Sequence, residues 1–189
     1  MRKAILAITA TMLAGAAPPG AGPDPGDGYL SGPALPGFVI GFSDGNARGA
    51  IVEQVPQDET VEKWTRMITT QRFTGLATTT KPVDYLQYMA RSLPQSCRGA
   101  AAGTPRVTTV SGRPAAEMRA DCPSNPQTHL PETFLILAVA GPRDMHVKQV
   151  AWRYVPSPED VEWGENYLGS TGFCLPLSKD PACRLVAPD

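Results

Sequence analysis

The chain has 189 residues, 42% of them hydrophobic, with 17 basic against 18 acidic side chains and a formal net charge of −1. A balance so near zero supplies no electrostatic footprint for nucleic acid or for an anionic membrane surface. The length suits one domain with a single core.

Residues 1–16 read as a secretory signal peptide. Arg2 and Lys3 form a basic start, Ala4 to Leu13 an apolar stretch, and Ala14-Gly15-Ala16 a small-residue cleavage site. Cleavage after Ala16 is preferred, since cleavage after Ala17 leaves Pro18 first. The apolar stretch is shorter than the roughly 20 residues a membrane span needs, and no later stretch is long enough. The expected location is the periplasm or the cell exterior. With no cysteine near the site, a lipid anchor is not expected.

Residues 17–37 hold six prolines and six glycines and are expected to form a flexible lead-in, with the folded domain running from 38 to 189. Strands are then expected over "GFVIGF" and "ARGAIVEQV", turning at Asp44-Gly45. A helix is expected over "QDETVEKWTRMITTQRF": Asp58 or Thr60 caps it, and Val61, Trp64 and Ile68 share one face. A second helix opens at Pro82, with Val83, Leu86, Ala90 and Leu93 inward, and closes at Pro94. "PRVTTVSGRPAAEMRADC" reads as two strands about Ser111-Gly112. The almost wholly apolar "ETFLILAVA" reads as a central strand buried on both faces, and "MHVKQVAWRYV" as its neighbour. Ser157-Pro158-Glu159-Asp160 opens a last helix with a capping box. The expected fold is α+β, a largely antiparallel sheet flanked by helices in the order β-β-α-α-β-β-β-β-α.

Four cysteines in an exported chain suggest two disulfides. Cys97–Cys122 and Cys174–Cys183 are favoured because each joins the ends of neighbouring elements. A structural zinc site wants closely spaced Cys or His pairs, which this chain lacks, so no metal or cofactor is expected.

Gly41-Phe42-Ser43-Asp44-Gly45 matches the G-x-S-x-G of serine hydrolases, with Asp121 or Asp144 and His129 or His146 downstream as acid and base. A nucleophile elbow needs a helix directly after the serine, whereas "AIVEQV" reads as strand. Ser43 is therefore expected to be a turn residue, with His129 in a solvated loop and His146 at a strand end. Asp58, Glu59, Glu159 and Asp160 are explained as helix-start acids rather than as a glycosidase pair. Trp64, Trp152, Trp163, Tyr154 and Tyr167 suit core packing better than a ligand groove, although Trp64 and Trp152 remain candidates for a contact. Tyr85 and Tyr88 lie on the less apolar side of their helix and suggest a contact surface.

The strand–helix joint "E-x-x-P-x-x-E-T-x-x-x-W-T" in "IVEQVPQDETVEKWTRMITTQRF", the helix end "RSLPQSC", the "DCP" after a strand, and "VKQVAWRYVPSPEDVEWGENYL" followed by "FC" resemble a group of small exported bacterial proteins of unassigned activity. The resemblance covers residues 38–174; the tail from Leu175, with Cys183, lies outside it. More remotely, the order of elements is similar to the PsbP-like and DcrB-like α/β/α sandwiches. What this implies is an antiparallel sheet between helices and a non-enzymatic accessory or envelope role, with no catalytic residues to carry over. The reading is an exported, non-catalytic protein that acts by binding an envelope protein or a small ligand. The alternatives are a serine hydrolase using Ser43 and a small-molecule carrier lined by the aromatics.

Overall fold

The computed structural model describes residues 27–176, 178 and 183. The expected signal peptide and the first part of the lead-in lie outside the described residues.

Among the described residues, ten strands and two α-helices follow one another: β1 (Tyr29–Ser31), β2 (Phe38–Asn46), β3 (Gly49–Pro56), β4 (Arg66–Phe73), α1 (Pro82–Ser96), β5 (Ala101–Ala102), β6 (Arg106–Val110), β7 (Arg113–Cys122), β8 (Glu132–Ala140), β9 (Met145–Trp152), α2 (Pro158–Gly169) and β10 (Gly172–Cys174). The main sheet has the order β2-β3-β4-β9-β8-β7-β5, with β6 also paired to β7; β1 and β10 form a separate two-stranded ribbon. Every pairing is antiparallel. The α+β class and the largely antiparallel sheet expected from the sequence are present.

β8 is the spine of the fold. Eight of its nine residues are buried, because helices or strands cover it on both faces. Side chains alternate along a strand. Phe134, Ile136 and Ala138 therefore join Met145, Val147 and Ala151 of β9, and Leu86, Met89 and Leu93 of α1, on one face. Leu135, Leu137 and Val139 join Val150, Trp152, Tyr167, Leu168, Leu30 and Phe173 on the other, under α2 and the β1–β10 ribbon.

Local chemistry explains the turns and caps. Ser111 and Gly112 both carry positive φ, 50° and 75°, which is what a two-residue hairpin turn of the primed type demands. Ser157 Oγ accepts from the Asp160 N–H, and the Asp160 carboxylate accepts from the Ser157 N–H, completing the capping box of α2.

Four expectations are corrected. Residues 66–73 form strand β4, not a helix: Met67, Ile68 and Thr69 are all buried because both faces of this strand are covered, a pattern no single helix face produces. Glu59, expected as a helix-start acid, accepts from the Thr65 N–H and hydroxyl, each at 2.6 Å, and so shapes the approach to β4. Asp44 and Gly45 belong to β2, paired with Ile51 and Ala50, so Ser43 is a strand residue rather than a turn residue. The turn comes two residues later, where Asn46 Oδ1 accepts from the Arg48 N–H at 2.8 Å. Finally, α1 runs past Pro94 to Ser96. A proline so near the end removes one N–H only, and the Cys97 N–H still reaches Leu93 O at 2.8 Å.

The observed order therefore has four strands before α1, and Tyr29–Ser31, within the proline- and glycine-rich lead-in, pairs with Gly172–Cys174. Both disulfides are present with the favoured pairing. Cys97–Cys122 ties the end of α1 to β7, and Cys174–Cys183 ties β10 to the chain beyond it.

Candidate functional site

β9 carries unlike residues on its two faces. Met145, Val147 and Ala151 lie on the α1 side; His146 and Lys148 point to the other side, each only 3% exposed. Burying a titratable group is costly unless a polar partner meets it. The partners come from the backbone and acids around the β1–β10 ribbon.

At the β8–β9 turn, Asp27 accepts hydrogen bonds from the Arg143 and Asp144 N–H groups, the latter at 3.0 Å, and its other carboxylate oxygen lies 3.3 Å from His146 Nε2. This carboxylate fastens the start of the described chain to the sheet. Asp144 faces a different set: Arg72 Nη1 at 2.9 Å and the Gly75 N–H at 2.8 Å. Burial opposes ionisation of Asp144, but these hydrogen bonds and the guanidinium outweigh it and lower its pKa. Burial lowers the pKa of His146, only partly countered by Asp27, so the imidazole is neutral at pH 7. Its ring stands edge-on to Phe173, with centroids 5.1 Å apart.

Lys148 has a sparer environment. Its ammonium donates to Ser31 O at 3.0 Å and stands 5.3 Å from the centre of the Tyr167 ring. No carboxylate lies within salt-bridge distance of it among the described residues. Burial alone pushes its pKa down to about 8.

Above Lys148 the ribbon and the end of α2 enclose an open cleft of about 340 Å³, lined by Ser31, Gly32, Gly169, Ser170, Thr171 and Gly172. Two of its glycines stand where a side chain would clash with a neighbour. A Cβ on Gly32 would sit 2.7 Å from Lys148 Nζ and 3.9 Å from the Tyr167 hydroxyl, and one on Gly172 would sit 2.7 Å from Ser31 Oγ. The Thr171 hydroxyl is buried and has no hydrogen-bond partner among the described residues.

The residues singled out in the sequence are dispersed. Ser43 is exposed on β2, and three interstrand steps separate β2 from β9, so at about 4.8 Å per step it lies roughly 14 Å from the strand of His146. His129 is exposed, with φ 59°, in the loop before β8. The G-x-S-x-G serine thus stands in a strand, followed by another strand, with neither histidine beside it. Trp64 and Trp152 are buried, 4% and 0% exposed, in clusters on opposite faces of the sheet, so they do not share a groove or a surface. Tyr85 and Tyr88 also part company. Tyr85 packs on Phe73 with centroids 5.7 Å apart, and burial pushes its pKa up to about 12, whereas Tyr88 is 62% exposed.

Two features were missed by sequence reasoning. Lys148 stands among Met145, Val147 and Val150 in "MHVKQV"; a lysine inside an otherwise buried strand is the signal that marks it. The second is the outer edge of the sheet. Among the described residues β2 pairs only with β3, and Val39, Ile40 and Phe42 on it are 44%, 52% and 42% exposed. Among the described residues, no group of three or more His, Cys, Asp or Glu is placed to hold a metal ion, and no helix is long and apolar enough to cross a membrane. Comparison with protein-family models and with curated proteins finds no match for this chain.

Proposed function

We propose that the protein is an exported, disulfide-bonded binding module of the cell envelope or exterior, and that it captures an extended segment of a partner polypeptide along β2. The observation that carries this reading is the composition of that edge. Natural edge strands are usually blunted by lysine, proline or inward charges that discourage pairing. β2 has nine residues, no Lys, Arg or Pro, a single acid at Asp44, and three exposed apolar side chains. Strand addition at such an edge draws affinity from main-chain hydrogen bonds and specificity from alternate side chains.

The partner is a different polypeptide rather than a second copy. The register of β2 slips between Ile40 and Phe42, so its edge is irregular at Gly41. Pairing β2 with itself about a two-fold axis would bring two irregularities into one ladder, whereas a regular strand meets only one. Two disulfides accord with an oxidising compartment, and the signal peptide read at residues 1–16 accords with export.

A photo-crosslinking residue at position 40, activated in intact cells, tests this, with position 107 on the far side of the sheet as control. The expected result is an adduct of defined mass at 40, absent at 107 and lost in Phe42→Lys, with hydrogen exchange in the purified complex slowed at amides 38–46. An adduct of twice the chain's own mass makes the occupant a second copy and overturns the reading. Unchanged exchange at 38–46 overturns strand addition.

A further inference from the structure

We infer that Asp44-Gly45, near the end of β2, is a site of spontaneous covalent modification, in which the aspartyl linkage passes through a succinimide to isoaspartate. The site lies on the strand proposed as the contact edge, but the chemistry needs only this chain and water, so the two readings stand or fall separately.

Three observations converge. The first is a free nucleophile. β2 and β3 are joined through Ala47 and Arg48 alone, so the flanking pair Asn46–Gly49 exchanges main-chain hydrogen bonds. Bonded and non-bonded pairs alternate along an antiparallel ladder, so at the next pair, Gly45–Ala50, the Gly45 N–H points away from β3 to the outer edge. The second is proximity. That N–H donates to Asp44 Oδ1 at 2.8 Å, and the electrophilic Cγ is one bond from this oxygen. Reacting atoms held close have already met much of the entropic cost of reaction. The third is freedom to move. Asp44 is exposed, Gly45 has no side chain to obstruct ring closure, and the turn begins one residue further on. Closing the ring rotates Asp44 out of its extended conformation, and the end of an edge strand opens at low cost.

The atoms balance with water as the sole co-reactant. Gly45 N attacks Cγ of the protonated Asp44 carboxyl, its proton passes to solvent, and the Cγ hydroxyl leaves as water. Water then adds to the main-chain carbonyl of the ring and breaks that carbon's bond to Gly45 N. Gly45 is left joined through the Asp44 side chain, with the α-carboxylate free. The mass is unchanged, but the main chain has gained a methylene carbon, which shifts Gly45 and Asn46 against Ala50 and Gly49.

The same dipeptide at Asp27-Gly28 supplies the contrast. The Asp27 carboxylate accepts from the Arg143 and Asp144 N–H groups, and its side chain is 9% exposed. The Gly28 main chain is packed against Phe173, so the rotation that closes the ring is blocked. Among the described residues no other Asp-Gly pair occurs. The fold therefore selects position 44.

The test ages the oxidised, disulfide-intact protein at neutral pH and physiological temperature, beside a reduced, denatured sample, until the denatured chain has isomerised at both positions. Isoaspartate is read by resistance to endoproteinase Asp-N and by methylation with protein isoaspartyl methyltransferase, each located by peptide mapping. The expected result in the folded protein is loss of cleavage at Asp44 without a change of mass, with cleavage at Asp27 intact. Gly45→Ala should lose most of the methylation of this peptide and Asp44→Ser all of it; either variant serves if the other fails to fold. An unmodified Asp44 in the folded protein at that time overturns the inference. Equal accumulation at 27 and 44 overturns selection by the fold, and methylation undiminished in both variants overturns the assignment of the site.

Discussion

The two faces of the sheet are closed in different ways. On one, a single fifteen-residue helix lays Leu86, Met89 and Leu93 over the apolar rows of β7, β8 and β9. On the other, twelve residues of α2 leave part of the sheet uncovered, and two three-residue strands complete the lid. The titratable residues of β9 are buried on this second face. A helix turns only side chains toward what it covers, because its main chain is internally bonded. A short ribbon still has carbonyls to offer, and Ser31 O is the one that receives Lys148. Polar burial here is therefore a property of what covers the sheet as much as of the strand itself.

Truncating the helix-covered face has the largest expected effect. Leu86 is 0% exposed, so Leu86→Ala should cost about 2–5 kcal/mol, measured by denaturant unfolding, because the rigid sheet beneath leaves a cavity. A loss under about 1 kcal/mol would mean that the α1 face repacks as readily as the ribbon face.

The disulfides grade the same contrast. Cys97–Cys122 spans 25 residues and closes the α1 side; Cys174–Cys183 spans 9 and secures the ribbon side. On loop entropy, removing the first by double Cys→Ala substitution should cost about 3.5 kcal/mol and the second about 2.5 kcal/mol. Thermal unfolding of the two variants orders them, and the reverse order would show that the ribbon, not the helix, limits stability.

The smallest effect is a slope. Burial lowers the pKa of Lys148 from 10.5 to about 8, so the folded chain releases this proton before the unfolded chain does. Its contribution to stability is complete above about 10.5 and is lost as pH falls through about 8. Wild type should therefore gain stability on going from neutral to alkaline pH relative to Lys148→Met. Parallel slopes for the two proteins would place the ammonium in contact with water.

Much of the architecture is legible in the sequence wherever local and global signals agree. The β6–β7 turn at Ser111-Gly112, the capping box at Ser157, the doubly buried β8 and both disulfide pairings all follow from short-range chemistry. β4 does not. Trp64 and Ile68 fall at helical spacing by coincidence, and the tertiary cover on both sides of Met67, Ile68 and Thr69 overrides it. β1 is invisible because three residues among prolines and glycines become a strand only when β10 arrives from the other end of the chain. The cleft shares that origin. Lys148 is readable as an anomaly, but Ser31 and Gly32 are held beside it by a pairing between segments about 140 positions apart.

The β1–β10 ribbon has a mechanical consequence. Because the strands are antiparallel, Tyr29 at the start of β1 lies opposite Cys174 at the end of β10. Tension applied on the two sides of this pair would load the Asp27 contacts to the β8–β9 turn and the first residue pair of the ribbon together. The same adjacency permits a linker between Asp27 and Leu175 in a shortened chain opened at Ala47-Arg48, a circular permutation that leaves every strand of the main sheet whole.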